Sequence, residues 1–192
     1  MQTPPVAAKA TLRKAMRERR MAMSDNEWAG ASARICSLLL AQPALQVARR
    51  VGLFAPLLAR REVDVRPLAD MLSARGIELF YPVITNPPNA ACTGDFRRVT
   101  RDSEWVTGAF GVLEPSANCP AAARGDIDVI VVPCLAVTIN HERLGYGSGF
   151  YDRVLPNLCP PATTVVVGFA FQLVDSLPTT PHDFRCDAVV TA

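Results

Sequence analysis

Residues 143–153 carry the densest set of groups in this chain that could do chemistry. They read Arg-Leu-Gly-Tyr-Gly-Ser-Gly-Phe-Tyr-Asp-Arg, so three alternating glycines precede two aromatic residues and a carboxylate. Glycine leaves backbone N–H groups unhindered, and the start of a following helix would add partial positive charge. The segment therefore predicts a loop that binds an anion, most often phosphate. The simpler alternative is a glycine-rich structural turn.

Three common loop chemistries do not fit this segment. A P-loop ends in Gly-Lys-Ser or Gly-Lys-Thr, and the chain has no lysine after Lys14. A dinucleotide fingerprint would need glycine in place of Phe150. A nucleophile elbow around Ser148 would need glycines at Tyr146 and Phe150. An anion-binding loop of another pattern is what remains.

A second set of charges lies near the start of the chain. Four basic residues recur there at steps of four, four and three, namely Lys9, Arg13, Arg17 and Arg20. This spacing places them on one face of a helix predicted over residues 5–21. Such a stripe is most often a solvated helix face, and the alternative is contact with a small anionic ligand. Nucleic-acid binding is not expected, because the basic excess is confined to this segment and lacks interleaved aromatic residues.

Asp152 and Asp183 are the predicted metal ligands. Mg²⁺ bound to phosphate usually keeps several waters and takes one or two carboxylates from the protein. The two histidines, His141 and His182, form no spaced cluster with cysteine, so a transition-metal site is not expected. Taken alone, Asp152 could equally be an acid in the first turn of a helix.

The elements that must position these residues alternate between strands and helices. Strands are predicted at residues 50–55, 77–81, 95–100, 127–132, 164–169 and 188–191, and further helices at residues 24–41, 64–75 and 149–158. Pro43 is expected to stop a helix, and Pro82 to end a strand. Residues 86–124 show little pattern beyond one strand and a turn near residues 108–115. The expected fold class is α/β, a single-domain three-layer sandwich with a mainly parallel central sheet.

Composition limits the remaining classes of function. With 192 residues, 49% hydrophobic and 20% charged, the chain is predicted to form one folded domain over residues 1–192. No apolar run reaches the roughly 18 residues of a membrane span. The six cysteines are widely spaced and are expected to be reduced, mostly buried thiols. Because the first residues lack the order of a secretory signal, we expect a cytoplasmic location.

Segments spread over nearly the whole chain resemble the 5-formyltetrahydrofolate cyclo-ligase family, also called methenyltetrahydrofolate synthetase. Residues 143–153 resemble its R-L-G-Y-G-G-G-Y-Y-D-R pattern, and residues 9–13 resemble K-x-x-L-R. Residues 62–64 are similar to E-[IV]-[DN], and residues 110–115 to F-G-I-x-E-P. Residues 182–191 resemble the H-D-x-x-x-D-x-[IV]-[IV]-T ending.

This resemblance implies ATP- and Mg²⁺-dependent conversion of 5-formyltetrahydrofolate to 5,10-methenyltetrahydrofolate, with release of ADP and phosphate. The implied fold is similar to that of sugar-phosphate isomerases and CoA transferases. In the implied mechanism the formyl oxygen attacks the γ-phosphate, N10 closes the ring, and phosphate leaves. The implied partners are a reduced folate and ATP, with no nucleic acid, no membrane, and a monomer or weak dimer.

Carried over by position, the resemblance gives each site residue a role. Lys9, Arg143 and Tyr151 would act in catalysis, and Asp152 and Asp183 would hold Mg²⁺. The residues implied to hold ATP are Lys9, Arg13, Arg143, Leu144, Gly145, Tyr146, Gly147, Ser148, Gly149, Phe150 and Tyr151. The residues implied to face the folate are Leu57, Glu62, Phe110, Tyr146, Gly147, Ser148, Gly149 and Phe150. A flat ring suits Phe110 for stacking on the pterin, and a carboxylate suits Glu62 for accepting pterin N–H groups.

Three positions depart from the family pattern. Thr138 stands where aspartate is usual, and residues 140–142 lack the usual glycine. Phe150 replaces a tyrosine, which removes a hydroxyl worth about 0.5–1.5 kcal/mol if it made one hydrogen bond. These departures leave two alternatives to the active enzyme. One is a non-catalytic folate- or nucleotide-binding relative, and the other is an ATP-independent enzyme like the sugar-phosphate isomerases.

Overall fold

The computed structural model describes residues 5–85 and 91–192, which form alternating helices and strands. The helices are α1 (Pro5–Met21), α2 (Asp25–Leu40), α3 (Pro43–Val47), α4 (Arg66–Ala74) and α5 (Phe150–Leu158). The strands are β1 (Arg50–Gly52), β2 (Glu78–Thr85), β3 (Thr93–Val99), β4 (Trp105–Thr107), β5 (Leu113–Pro115), β6 (Val129–Pro133), β7 (Ala136–Val137), β8 (Arg143–Leu144), β9 (Thr163–Gly168) and β10 (Ala188–Thr191).

Six of the strands form a central sheet in the order β10-β9-β6-β1-β2-β3. Every neighbouring pair in this sheet is parallel except β2 with β3. The remaining strands form two antiparallel hairpins, β4 with β5 and β7 with β8. The predicted α/β class with a mainly parallel central sheet is confirmed, while the similarity to sugar-phosphate isomerases stays a prediction.

The sheet is buried on both faces, which explains the nearly continuous apolar runs of its central strands. Along β6, Val129 and Val131 face the core formed with α2 and α4, whereas Ile130 and Val132 face the core formed with α5. Successive side chains of a strand point to opposite faces, so a run without polar residues is what two covered faces require. Helices on both faces of one sheet give the three layers.

The start of α2 agrees with a capping signal in the sequence. Ser24 and Glu27 form a capping box, in which each side chain accepts a hydrogen bond from the other residue's backbone N–H. Helix α2 then runs to Leu40, close to the predicted end. Pro43 does not stop this helix; instead it is the first residue of α3, where its missing N–H is not needed.

Two of the predicted strand bounds are wrong, and the turn predicted near residues 108–115 is present. Strand β1 ends at Gly52, before the predicted end at residue 55. Pro56 follows soon after, and it has no N–H group for a ladder hydrogen bond. Strand β2 continues through Pro82, because β1 pairs only as far as Phe80 and makes no ladder bond opposite the proline. The turn predicted at residues 108–115 belongs to the β4–β5 hairpin.

The glycine loop follows β8. The β7–β8 hairpin lies between β6 and this loop. Residues 86–90 of the irregular region lie outside the described residues.

All six cysteines are free thiols and five are buried, as predicted. Across residues 5–85 and 91–192, no helix has the length and apolar character needed to cross a membrane.

Gly94 in β3 is expected to be essential for the β2–β3 ladder. It has a φ of +152°, and a Cβ built on it would lie 1.9 Å from the backbone oxygen of Val83. Because that backbone atom cannot move aside cheaply, we expect Gly94→Ala to lower the free energy of unfolding by about 2 kcal/mol or more. Urea unfolding measures this change.

Gly30 supplies the matched control. It lies inside α2, where a Cβ would meet only the flexible end of Arg34 at 3.5 Å. Gly30→Ala should therefore raise the free energy of unfolding by about 0.5–1 kcal/mol, because alanine favours the helix. Similar free energies of unfolding for the two variants would contradict this account of the ladder.

Candidate active site

One cavity of about 910 Å³ lies beyond the carboxyl ends of β1 and β6. Phe54, which follows β1, and Pro133, which ends β6, both line it. All the residues given a role from the sequence also line it: Lys9, Arg13, Leu57, Glu62, Phe110, Arg143, Leu144, Gly145, Tyr146, Gly147, Ser148, Gly149, Phe150, Tyr151, Asp152 and Asp183. Its volume is at the upper end of the roughly 300–1,000 Å³ usual for ligand pockets, which suits two ligands bound side by side.

Helix α1 forms one wall of the cavity through its basic stripe. The Arg13 side chain donates from Nε to the carbonyl oxygen of Gly145 at 2.9 Å. Arg17 donates from Nη2 to the carbonyl oxygen of Tyr146 at 3.4 Å, and Arg20 donates from Nη1 to the Tyr146 hydroxyl at 2.6 Å. The stripe therefore contacts the glycine loop, and its interpretation as a solvated face is wrong for Arg13 and Arg20, whereas Arg17 stays exposed.

These contacts leave the amide side of the glycine loop available. Its carbonyls at Gly145, Tyr146 and Ser148 accept from arginines, the last from Arg153 in α5. In the part of the chain that the structure describes, no N–H of residues 145–149 donates to a protein acceptor. Free amides beside the first turn of α5 and a group of cationic side chains form a setting suited to phosphate.

Two glycines of this loop have a conformation that other residues rarely adopt. Gly147 has a φ of +110° and Gly149 a φ of +68°. A Cβ on Gly149 would also lie 2.7 Å from a terminal nitrogen of Arg153. The alternating glycines are thus required by backbone geometry and by the close approach of an arginine.

Each of the two aspartates is paired with a basic residue. Asp183 accepts at Oδ2 from Lys9 Nζ at 2.6 Å and from the N–H of Thr180 at 2.7 Å. Burial alone would raise the pKa of Asp183, but the hydrogen bond and charge of Lys9, with the Thr180 N–H, hold that pKa below its usual range. Asp152 accepts at Oδ1 from Arg143 Nη2 at 2.7 Å and from the N–H of Phe184 at 3.2 Å.

The donor set around these aspartates fits Mg²⁺. Both carboxylates line the same cavity, and the hydrogen bonds above use Oδ1 of Asp152 and Oδ2 of Asp183. Among the residues that the structure describes, no group of three or more His, Cys, Asp or Glu side chains could hold a metal ion. A protein that supplies only two carboxylates suits an ion that keeps several waters and binds phosphate oxygens.

Arg143 and Tyr151 form the buried floor beside the aspartates. The Arg143 side chain is 3% exposed, and its guanidinium carbon lies 5.4 Å from the centre of the Tyr151 ring. Burial raises the pKa of Tyr151 well above its usual value, although the Arg143 charge opposes this. The Tyr151 hydroxyl therefore stays protonated at neutral pH and can donate a hydrogen bond.

Phe110 lies at the cavity rim on the β4–β5 hairpin, half exposed and with a φ of +61°. The buried Glu114 side chain fixes this hairpin to β2, because its Oε2 accepts from the N–H of Ile84 at 3.1 Å. Gly108 packs against the same carboxyl group, and a Cβ there would lie 2.1 Å from Glu114 Cδ. Burial raises the pKa of Glu114, and the Ile84 N–H only partly offsets it.

Several other lining residues were not given a role from the sequence. They include Arg17, Phe54, Arg60, Pro82, Ile84, Val112, Arg153 and His182. The sequence could have indicated Arg17 and Arg153, because Arg17 belongs to the basic stripe and Arg153 to the glycine motif. Arg60 and the apolar wall carry no local pattern, because only the folded chain brings them to the cavity.

The departures from the family pattern have structural explanations. Thr138 is fully buried and lies in the β7–β8 turn, where its hydroxyl donates to Glu142 Oε2 at 3.1 Å and accepts from the Glu142 N–H at 3.2 Å. His141 has a φ of +67°, the conformation that a glycine would favour. Phe150 is 2% exposed and packs edge-on against Tyr151 at a ring distance of 5.1 Å.

Comparisons with known proteins identify the family to which the chain belongs. The model of the 5-formyltetrahydrofolate cyclo-ligase family matches residues 5–192. The chain is similar to 5-formyltetrahydrofolate cyclo-ligase of Mycolicibacterium smegmatis, with 36% identity over 129 residues, 65% of this chain and 64% of that relative. The enzyme of the same name from Escherichia coli (strain K12) is 30% identical over 179 residues, 92% of this chain and 96% of that relative. The NMR structure of Aquifex aeolicus 5,10-methenyltetrahydrofolate synthetase matches with a TM-score of 0.79 and 30% identity, covering 95% of this chain and 89% of that one.

We expect Glu114 to make stability depend on pH. Because its folded-state pKa is raised, its contribution to stability is greatest below its unfolded pKa and is lost as the pH rises through the folded pKa. Glu114→Gln keeps the size of the side chain and is neutral at every pH. Its advantage over the natural chain should therefore grow in urea unfolding as the pH rises above about 4.5, the ordinary pKa of this side chain.

The control for this prediction is Glu104→Gln, since Glu104 is exposed just before the same hairpin. It should leave the pH dependence of the free energy of unfolding unchanged. The explanation is wrong if Glu114→Gln and the natural chain have parallel stability curves.

Proposed function

The chain belongs to the 5-formyltetrahydrofolate cyclo-ligase family, and we infer that it converts 5-formyltetrahydrofolate to 5,10-methenyltetrahydrofolate with ATP as co-substrate. One observation supports this activity most strongly. A single cavity gathers an amide-lined glycine loop, a basic helix face, two aspartates and a buried glutamate. These are the groups that a triphosphate, a cation and a pterin would each require.

We propose that the phosphates of ATP lie against the free N–H groups of residues 145–149. Lys9, Arg13 and Arg143 supply the side-chain charge, and all three line the cavity. Burial lowers the pKa of Arg13, and the neighbouring positive charge of Arg17 lowers it further, while Asp183 and Asp152 oppose the shift. A polyanion relieves the repulsion between the two arginines, so the site favours ATP over a neutral ligand.

We propose that Asp152 and Asp183 hold Mg²⁺ on the same side of the cavity. When bound, this ion would neutralise phosphate charge and orient the γ-phosphate. Lys9 and Arg143 already pair with these aspartates at 2.6 and 2.7 Å. The same basic residues are therefore within reach of phosphate oxygens that approach the aspartates.

The reduced folate is proposed to occupy the other half of the cavity. Glu62 is 4% exposed, and its Oε2 accepts from the N–H of Leu57 at 2.7 Å, which fixes one edge of the carboxylate. Its remaining acceptor sites suit the N–H donors of a pterin. Phe110 at the rim offers a ring for stacking, and Tyr146 to Phe150 separate this half from the phosphates.

The proposed chemistry needs positioning more than covalent participation by the protein. The formyl oxygen attacks the γ-phosphorus and the bond to the bridging oxygen breaks, which releases ADP. N10 then attacks the formyl carbon and gives up its proton, and the carbon–oxygen bond breaks to release phosphate. Lys9 and Arg143 would stabilise the transferring phosphoryl group, and Tyr151 would donate a hydrogen bond to an oxygen.

We further propose that residues 1–192 act as one domain in the cytoplasm, as a monomer or weak dimer, without a nucleic-acid or membrane partner. The six free thiols fit a reducing compartment.

A direct assay tests the proposed activity. The purified protein, mixed with 5-formyltetrahydrofolate, Mg²⁺ and ATP, should produce the absorbance of methenyltetrahydrofolate and release ADP in equal amount. Omitting ATP should abolish the signal, and a chelator of divalent ions should suppress it. A high concentration of folded protein that gives no ATP-dependent product would contradict the activity.

Lys9 is expected to be essential for turnover but not for folding. Lys9→Ala should lower kcat by about 100-fold or more, because it removes a positive charge that would stabilise the transferring phosphoryl group. Lys14→Ala is the matched control, because Lys14 lies on the same helix, is exposed and pairs with Glu18 at 3.9 Å. Circular dichroism should show both variants folded, and near-normal turnover in Lys9→Ala would refute the role of this lysine.

A further inference from the structure

Arg153 lines the cavity but has no part in the proposed activity described above. It lies in α5, and its side chain contacts two other segments. Its Nε donates to the carbonyl oxygen of Cys92, the residue before β3, and its Nη2 donates to the carbonyl oxygen of Ser148. Its Nη1 lies 2.7 Å from the point that a Cβ on Gly149 would occupy. One arginine therefore holds the end of the glycine loop between α5 and the start of β3.

The carbonyl that Arg153 binds fixes the direction of a neighbouring N–H group. A peptide bond is planar and trans, so its C=O and N–H point in opposite directions. The Ser148 carbonyl and the Gly149 N–H belong to the same peptide. Because Arg153 binds the oxygen on one side, the Gly149 N–H is directed to the other side. Within the described residues this N–H has no protein acceptor, so it is available to a ligand.

The same arrangement occurs at two earlier peptides of the loop. Arg13 binds the carbonyl oxygen of Gly145, and Arg17 binds the carbonyl oxygen of Tyr146. By the same geometry, these bonds set the directions of the Tyr146 and Gly147 N–H groups. Arginines from α1 therefore hold the first part of the loop, and an arginine from α5 holds its end.

The peptide between Ser148 and Gly149 needs such a contact because glycine restrains it weakly. Gly149 has a φ of +68°, and glycine adopts positive and negative φ about equally well. The peptide before it can therefore reverse without a side-chain clash. Reversal would put a carbonyl oxygen where the N–H was, and that oxygen would repel a phosphate. The charged hydrogen bond from Arg153 to Ser148 opposes this reversal.

We propose that Arg153 is a positioning residue for ATP: by binding the Ser148 carbonyl it holds the Gly149 N–H in the direction in which a phosphate oxygen can accept from it. This inference rests on the proposed function and extends it to a residue without an assigned role. Arg153 acts here through the backbone of the loop and does not itself contact phosphate.

Arg153→Gln separates the two contacts of this side chain. The glutamine amide nitrogen takes the place of Nε, so the variant keeps a donor to Cys92 and loses the donor to Ser148. We expect it to fold and to raise the KM for ATP about tenfold, as for loss of a charged hydrogen bond. The KM for 5-formyltetrahydrofolate should stay within about twofold, because the contact between Leu57 and Glu62 is unchanged.

A conservative variant and a matched control complete this test. Arg153→Lys places an ammonium group near Ser148, so it should restore the KM for ATP to within about threefold of the natural value. Arg185→Met should leave both KM values unchanged. Arg185 is also an exposed arginine that donates to a backbone carbonyl, that of Asn140 at 2.5 Å, but it does not line the cavity. A normal KM for ATP in Arg153→Gln, equal rises in the KM for ATP and folate, or no recovery in Arg153→Lys would overturn the proposal.

A double-mutant cycle tests whether Arg153 acts through the peptide before Gly149. Gly149→Ala disfavours the positive φ and displaces the guanidinium group, so the peptide is no longer held. Adding Arg153→Gln in that background should change ATP affinity by less than about twofold. An undiminished effect of Arg153→Gln would overturn the proposal.

ATP affinity measured by calorimetry separates this proposal from the proposed activity. A natural chain that binds ATP without turnover contradicts the activity alone. Unchanged ATP affinity in Arg153→Gln contradicts the positioning role alone. A structure with an ATP analogue in which Arg153 leaves Ser148 and binds a phosphate would also overturn the positioning role.

Discussion

The site depends on one contact, the docking of the basic face of α1 against the glycine loop. Arg13 and Arg17 donate to the carbonyl oxygens of Gly145 and Tyr146, and within the described residues the N–H groups of residues 145–149 have no protein acceptor. The contact is strengthened by an apolar cluster in which Met16 of α1 packs with Leu135 and Leu144. A helix with no acidic residue in its first turn gains most of its stability from such tertiary packing. The wall of the cavity and the anion site are therefore formed by the same contact.

The cavity also has to keep several charges in place before any ligand binds. Lys9 with Asp183 and Arg143 with Asp152 are direct ion pairs, and Arg20 donates to the Tyr146 hydroxyl. Groups fixed in this way need little reorganisation during phosphoryl transfer, which is the main physical source of catalysis expected of such a site. Under the proposed function these pairs would exchange partners, because phosphate would compete for Lys9 and Arg143 and a cation would compete for Asp183 and Asp152.

Much of the fold could be predicted from local patterns, and the exceptions share a cause. The β-branched runs in β6 and β9 and the capping box before α2 identify their elements directly, because burial on two faces and unpaired helix N–H groups leave a mark in the sequence. Pro82 does not end β2 as predicted, because β1 makes no ladder hydrogen bond opposite it. Where β1 ends is decided by the tertiary fold and leaves no mark in the sequence around Pro82. The β4–β5 and β7–β8 hairpins were missed because strands of two or three residues carry no periodicity. For the site, the spacing of the basic stripe predicted a shared helix face, but the same spacing suits a solvated surface. Only the fold shows that Arg20 is buried and that Arg60 reaches the cavity.

The central claim is that α1 and the glycine loop together bind the phosphates of ATP beside the folate. A crystal structure with a non-hydrolysable ATP analogue, Mg²⁺ and 5-formyltetrahydrofolate tests it most directly. The account predicts phosphate oxygens on the N–H groups of residues 145–149, Lys9 on phosphate, the cation between Asp152 and Asp183, and the pterin against Glu62. Phosphates bound away from the glycine loop, or a folate that does not contact Glu62, would contradict it.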